Sequence, residues 1–212
     1  MKADLPVVYR KCAAFFAAFP YPLKAIRPVL PHPMIVPVTL APGKGVLVTA
    51  VFDYQETSIG PYREAGIGFL CRLRTSGPLP LLPALAERYF DDVGTWVHTL
   101  PVTTTVADEL GRAQWGFPKF VADIRVDRTD DSVACQVTED GQRLLDIAID
   151  RPGRSKPTSL PLRFYSALGD ELQRLVRLAP ALRRQLHEAV VAALELVVEA
   201  LGLVLVHRPR AD

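Results

Sequence analysis

The chain has 212 residues, of which 49% are hydrophobic and 23% charged, and its formal net charge is +2. That length fits one large domain, 1–212, on a scale of roughly 100–200 residues per domain, and the proportions allow a sizeable core. A near-neutral balance without a run of Lys and Arg gives no electrostatic basis for a nucleic-acid partner.

The three cysteines, Cys12, Cys71 and Cys135, are odd in number and widely separated. This is neither a disulfide framework nor a zinc pattern, and it predicts a cytoplasmic setting. The opening MKADLPVVYRK is too polar and interrupted for a secretory signal. Residues 189–206 read AVVAALELVVEALGLVLV. Glu195 and Glu199 would be costly in lipid, so this stretch is expected as buried core, with no membrane partner.

In chain order, residues 12–19 (CAAFFAAF) fit a buried strand or a helix turn. Pro22 through Leu30 reads as one short helix, with Leu23, Ile26 and Leu30 on one side. Met34–Leu40, Val46–Tyr54 and Tyr62–Leu73 are rich in branched and aromatic residues between Gly and Pro, which predicts strands. Leu81–Phe90 can form a helix and Thr95–Thr105 a strand. Val106–Gly111 reads as a short helix stopped by Gly111. Phe120–Val126, Ser132–Val137 and Arg143–Ile149 read as strands, the last two joined by a Glu139-Asp140-Gly141 turn. From Ala181 to Leu201 apolar residues recur at helical spacing, and a short strand, Leu203–His207, closes the chain. The sum is an α+β domain, mostly β.

Two segments carry a likeness to a known family. Residues 111–119 read GRAQWGFPK and residues 60–67 read GPYREAGI. Both resemble the acetoacetate decarboxylase family, in which a Gly-Arg-Glu-x-Trp-Gly-Phe-Pro-Lys run ends in the reactive amine and an earlier Tyr-x-Glu run supplies a carboxylate. The likeness extends to about Ser166 and includes the early helix ending in PHP. It implies a mostly antiparallel fold closing into a cone-like β-barrel, with peripheral helices and a homo-oligomeric state. It also implies Lys119 and Glu64 as catalytic residues, with Tyr62, Trp115, Phe117 and Phe120 near the substrate and Arg10 or Lys11 as a source of positive charge.

The chemistry follows from the amine. Lysine attacks a carbonyl only when neutral, and an unperturbed Lys has a pKa of ~10.4. Apolar surroundings such as Trp115, Phe117, Pro118, Phe120 and Val121 disfavour the ammonium form. The family itself is a standard instance of a lysine activated by desolvation or by a cationic neighbour. The resemblance therefore implies a Schiff-base-forming lyase, decarboxylase or aldolase–dehydratase, acting on a small oxo or keto acid without metal or organic cofactor. Four positions depart from the family pattern: Phe120 replaces a second lysine, Ala113 a glutamate, Cys12 an arginine and Thr49 another glutamate. They leave open a non-catalytic small-ligand-binding protein on the same barrel fold, and an assembly role for the apolar tail.

Overall fold

The computed structural model describes residues 6–74, 92–150 and 160–179. The helix expected at Leu81–Phe90, the long helix over Ala181–Leu201, the final strand and the apolar stretch 189–206 lie outside the described residues. Among those described, no helix is long and apolar enough to cross a membrane.

The aromatic and alanine-rich start is a strand, β1 (Tyr9–Pro22), followed by a four-residue helix α1 (Leu23–Ile26) and a 3-10 turn, Arg27–Val29. Leu23 and Ile26 are buried, so the expected apolar side is present on a helix cut short by Pro28. Then come β2 (Ile35–Pro37), β3 (Lys44–Thr57), β4 (Tyr62–Leu73) and β5 (Val93–Val102). Helix α2 (Thr105–Trp115) leads into β6 (Lys119–Val121) and β7 (Asp123–Arg128). β8 (Ser132–Glu139), β9 (Gln142–Asp150), β10 (Leu160–Leu168) and β11 (Glu171–Ala179) complete the order.

Two corrections concern elements. Gly111 does not stop α2, which runs on to Trp115 and ends at Gly116. The strand expected over Phe120–Val126 is two strands belonging to different sheets, broken at Ala122.

The larger sheet runs β1-β3-β4-β5-β10-β11, with β2 beside β4 and β6 beside β5. Its β1-β3-β4-β5 part is antiparallel, whereas β6 and β10 both lie parallel to β5. Among the described residues it is an open sheet, bounded by β1 and β11. The smaller sheet, β7-β8-β9, is an antiparallel meander whose last turn holds Asp140 and Gly141 at positive φ (48° and 76°).

Alternation along β3 and β4 sorts side chains onto two faces. Val51 and Ala65 turn toward the smaller sheet and pack with Phe15, Ile124, Cys135 and Val137. Arg63 fastens the same contact, reaching Asp53 at 3.4 Å and the Ile124 carbonyl at 3.1 Å, while Arg128 reaches Asp53 at 3.4 Å. Phe52, Tyr54 and Tyr62 turn the other way and pack with Phe16, Val102 and Ala107 of α2. The second face is the one that matters for the site.

Candidate active site

Glu64 sits on β4 opposite Phe52 of β3 and Val102 of β5, which places its side chain on the face covered by α2. Lys119 opens β6 opposite Leu100 of β5, two residues before Val102, and so reaches the same face. Their side chains meet: Nζ donates to Glu64 Oε2 at 2.6 Å, with 4% and 7% of the two side chains exposed. The contact joins residues 55 positions apart.

The segment carrying the amine is shaped by its glycines and its proline. Thr104 caps α2, its hydroxyl accepting from the Ala107 N–H at 3.4 Å. At the other end Gly116 has φ of 60°, a left-handed conformation suited to glycine. A Cβ there would also collide with the Ala167 carbonyl. Ser166 donates to the Trp115 carbonyl at 2.5 Å, so β10 holds the end of the helix. The Pro118 carbonyl then accepts from Leu100 N–H at 3.1 Å, which starts the parallel pairing of β6.

Tyr62 is the third group at the pair. Its ring centroid lies 5.9 Å from Nζ, and its hydroxyl is 3.3 Å from that of Tyr9. Burial first, and then the neighbouring Glu64 carboxylate, raise the Tyr62 phenol well above its ordinary pKa. The phenol therefore stays protonated and keeps a hydrogen to donate. The Tyr54 ring packs against it, tilted by 36° at 4.7 Å between centroids, and stacks in turn on Phe52, continuing an aromatic wall to Phe16.

The remaining expected residues divide. Trp115 and Phe117 pack with Val97, Leu100 and Phe164, building the layer behind the amine's strand. Phe120 turns to the opposite face from Lys119, because neighbours on a strand alternate. There it lines a separate cleft of about 330 Å³ with Ile67, Thr99, Pro101, Val137 and Leu145. Arg10 does not supply a charge at the pair. A bulge between Tyr9 and Cys12 turns Tyr9 inward and leaves Arg10 exposed, 3.6 Å from Glu56. Lys11 is also exposed. Thr49 turns to the Val51 face, away from the amine, and its buried hydroxyl has no hydrogen-bond partner. Cys12 packs on the amine's face against the aromatic cluster.

Two residues of the site escaped the sequence reading. Tyr9 carried no signal, since its reach to Tyr62 depends on the bulge. Gly111 was legible only as a helix stop, whereas it stands inside α2. It lies directly against the Lys119 side chain. Among the described residues no group of three or more His, Cys, Asp and Glu could hold a metal ion.

The fold and the pair define a mostly-β protein that buries one amine against one carboxylate beneath a helix. The sequence profile described as Acetoacetate decarboxylase (ADC) matches residues 1–198, and the chain belongs to that family. Solved structures agree on the fold. A structure of acetoacetate decarboxylase from Legionella pneumophila subsp. pneumophila str. Philadelphia 1 aligns with a TM-score of 0.57 at 14% identity, covering 82% of this chain and 64% of that one. The chain thus spans just under two thirds of that protein's length. A second acetoacetate decarboxylase structure gives 0.60 at 13% identity, covering 82% and 67%. The enduracididine biosynthesis enzyme MppR complexed with pyruvate gives 0.53 at 14%, covering 78% and 67%. A search of curated protein sequences found no match.

Proposed function

We propose that this chain is a Schiff-base-forming lyase that uses Lys119 as its nucleophile on a small oxo compound. The observation that carries the reading is the 2.6 Å contact between buried Lys119 Nζ and Glu64 Oε2. Glu64 is placed to take a proton from the amine. Neutral Nζ then adds to the carbonyl carbon, giving a carbinolamine, and Glu64 returns its proton to the carbinolamine hydroxyl, which leaves as water to give a protonated imine. The iminium draws in the electron pair of a neighbouring bond. Either a β-carboxylate leaves as carbon dioxide, or Glu64 removes an α-proton and the enamine so formed adds to an aldehyde. Tyr62, a phenol held protonated, can donate to the departing carbonyl oxygen. The enamine left by decarboxylation takes a proton at carbon, or the alkoxide formed by condensation takes back the proton held by Glu64, before water hydrolyses the imine and frees the amine.

Between the two outcomes, aldol condensation and dehydration is the better supported. Cys12 occupies the position that the family resemblance gives to an arginine near the substrate, and it packs within the aromatic cluster on the amine's face. MppR is known from a complex with the condensation product of pyruvate and imidazole 4-carboxaldehyde, at a TM-score of 0.50 and 14% identity. The same position of Cys12 favours the second reading, a small-ligand-binding protein without turnover. Closure of the sheet into a cone-like barrel, a single domain over 1–212, assembly into homo-oligomers and a cytoplasmic setting belong to the same proposal.

The test is reductive trapping. Incubation with pyruvate, with acetoacetate and with a panel of small aldehydes, followed by borohydride, is expected to leave a mass adduct that maps to Lys119. Lys119→Ala should leave none. Absence of an adduct with every carbonyl offered would hand the site to the binding-protein reading.

A further inference from the structure

Helix α2 carries a buried glycine in its second turn, and the reason is not backbone geometry. Gly111 does not fall among the positive-φ glycines, so an L-residue could adopt its conformation. Glycine inside a helix is unfavourable relative to alanine. What requires it is space: a Cβ at 111 would lie 2.5 Å from Lys119 Cε and 3.0 Å from Nζ, and would overlap Cδ. Ala107, one turn earlier on the same side of the helix, is also small and is 2% exposed. The helix thus offers the lysine a nearly flat backbone surface.

We infer that Gly111 is the positioning residue of the site: its missing side chain is the space through which the Lys119 stem passes to bring Nζ onto Glu64. The inference rests on the reading of Lys119 as the reactive amine, although the packing argument stands apart from it. A methyl at 111 would meet the far end of a flexible side chain, not backbone. The conflict is therefore relieved by moving the lysine, and the helix stays in place. Gly111→Ala should keep the fold and misplace the amine. A misplacement of ~1 Å at a reacting group costs on the order of 10²-fold in rate.

The experiment is a double-mutant cycle between positions 111 and 119, with trapping as a second readout. On the Lys119→Ala background the methyl meets no lysine, so Gly111→Ala is expected to raise the melting temperature through helix propensity. On the wild-type background that gain should be lost or reversed. The rate of borohydride trapping should fall on the order of 10²-fold in Gly111→Ala. Acetylation of Lys119 by acetic anhydride, followed against pH by peptide mapping, should change in Gly111→Ala while the profiles of exposed Lys24 and Lys44 superimpose. Should wild type trap no carbonyl, the imine reading falls, and the cycle together with the acetylation profile still decides the positioning role. If Gly111→Ala alone fails to fold, folding of the double variant supports the inference and its failure overturns it. Equal melting shifts on both backgrounds, with an unchanged acetylation profile, would also overturn it.

Discussion

Lys119 and Glu64 are both withdrawn from water, and each is tolerable there because the other is 2.6 Å away. Removing two charges from solvent costs several kcal/mol per ion, which a close contact offsets only in part. The pair should therefore be poor at stabilising the fold and expensive to break. Glu64→Leu is expected to destabilise by about 3–5 kcal/mol, since it leaves an ammonium buried alone. Lys119→Met should cost about as much, and the double variant should regain most of the loss; chemical denaturation of all four forms measures this. Additive single losses would show that the two groups are not coupled. At this scale the identity of the two residues that meet was legible in the sequence and their geometry was not. GRAQWGFPK and the Tyr-x-Glu run named both members of the pair, but nothing local says that residues 55 apart will touch. Arg10 shows the limit most plainly. One bulge in β1 decides that Tyr9 reaches inward and Arg10 does not, and a bulge leaves no mark in the pattern of residues.

Between α2 and β6 lie three residues, and their conformations decide where the amine starts. Gly116 is held at φ of 60° against the backbone of Ala167 and Leu168. Gly116→Ala should therefore cost at least ~1–3 kcal/mol, the usual penalty of a left-handed non-glycine residue, and loosen the helix end from β10. A thermal melt with hydrogen exchange at Trp115–Lys119 would read both; an unchanged melt would mean the end of the helix is free to re-form elsewhere. The β3–β4 pairing and the β8–β9 hairpin were readable because alternation and an Asp-Gly turn announce them. β10 and β11 were not. In Glu171–Ala179 the apolar residues Leu172, Leu175, Val176 and Leu178 are spaced like a helical stripe, and the pairing of β11 with β10 makes the segment a strand. The reading of Gly111 as a helix stop failed for a related reason. A glycine near the end of a periodic stretch looks like punctuation when the group that needs its space lies in another element.

Across the molecule, the larger sheet separates two environments. The amine and its aromatic wall lie on one face, and the cleft lined by Phe120 lies on the other, beside the smaller sheet. Cys135 is buried in the latter contact, and burial pushes its thiol up to about 11 from an ordinary value of 9.0. Tyr165, which donates to the Asp92 carbonyl at 2.6 Å, is likewise raised, to about 12. Both shifts act in the same direction. The unfolded chain releases the Cys135 proton above pH 9 while the folded chain holds it until about 11, so stability is full below pH 9 and falls between those values. The loss should be on the order of 2 kcal/mol, and Cys135→Ala should flatten that part of the curve. A melting temperature constant from pH 7 to 11 would contradict it. The buried thiol should also resist alkylation at pH 8 until the chain is denatured.

The order of strands has a bearing on how the protein is made. β1, β3, β4 and β5 pair in antiparallel succession, so each can dock soon after it leaves the ribosome. Glu64 thereby lies between β3 and β5 before Lys119 has left the ribosome. For that interval the nascent sheet holds a carboxylate whose counter-charge is still inside the ribosome. Translation itself thus sets a period in which Glu64 must stay open to water, and the arrival of Lys119 ends it.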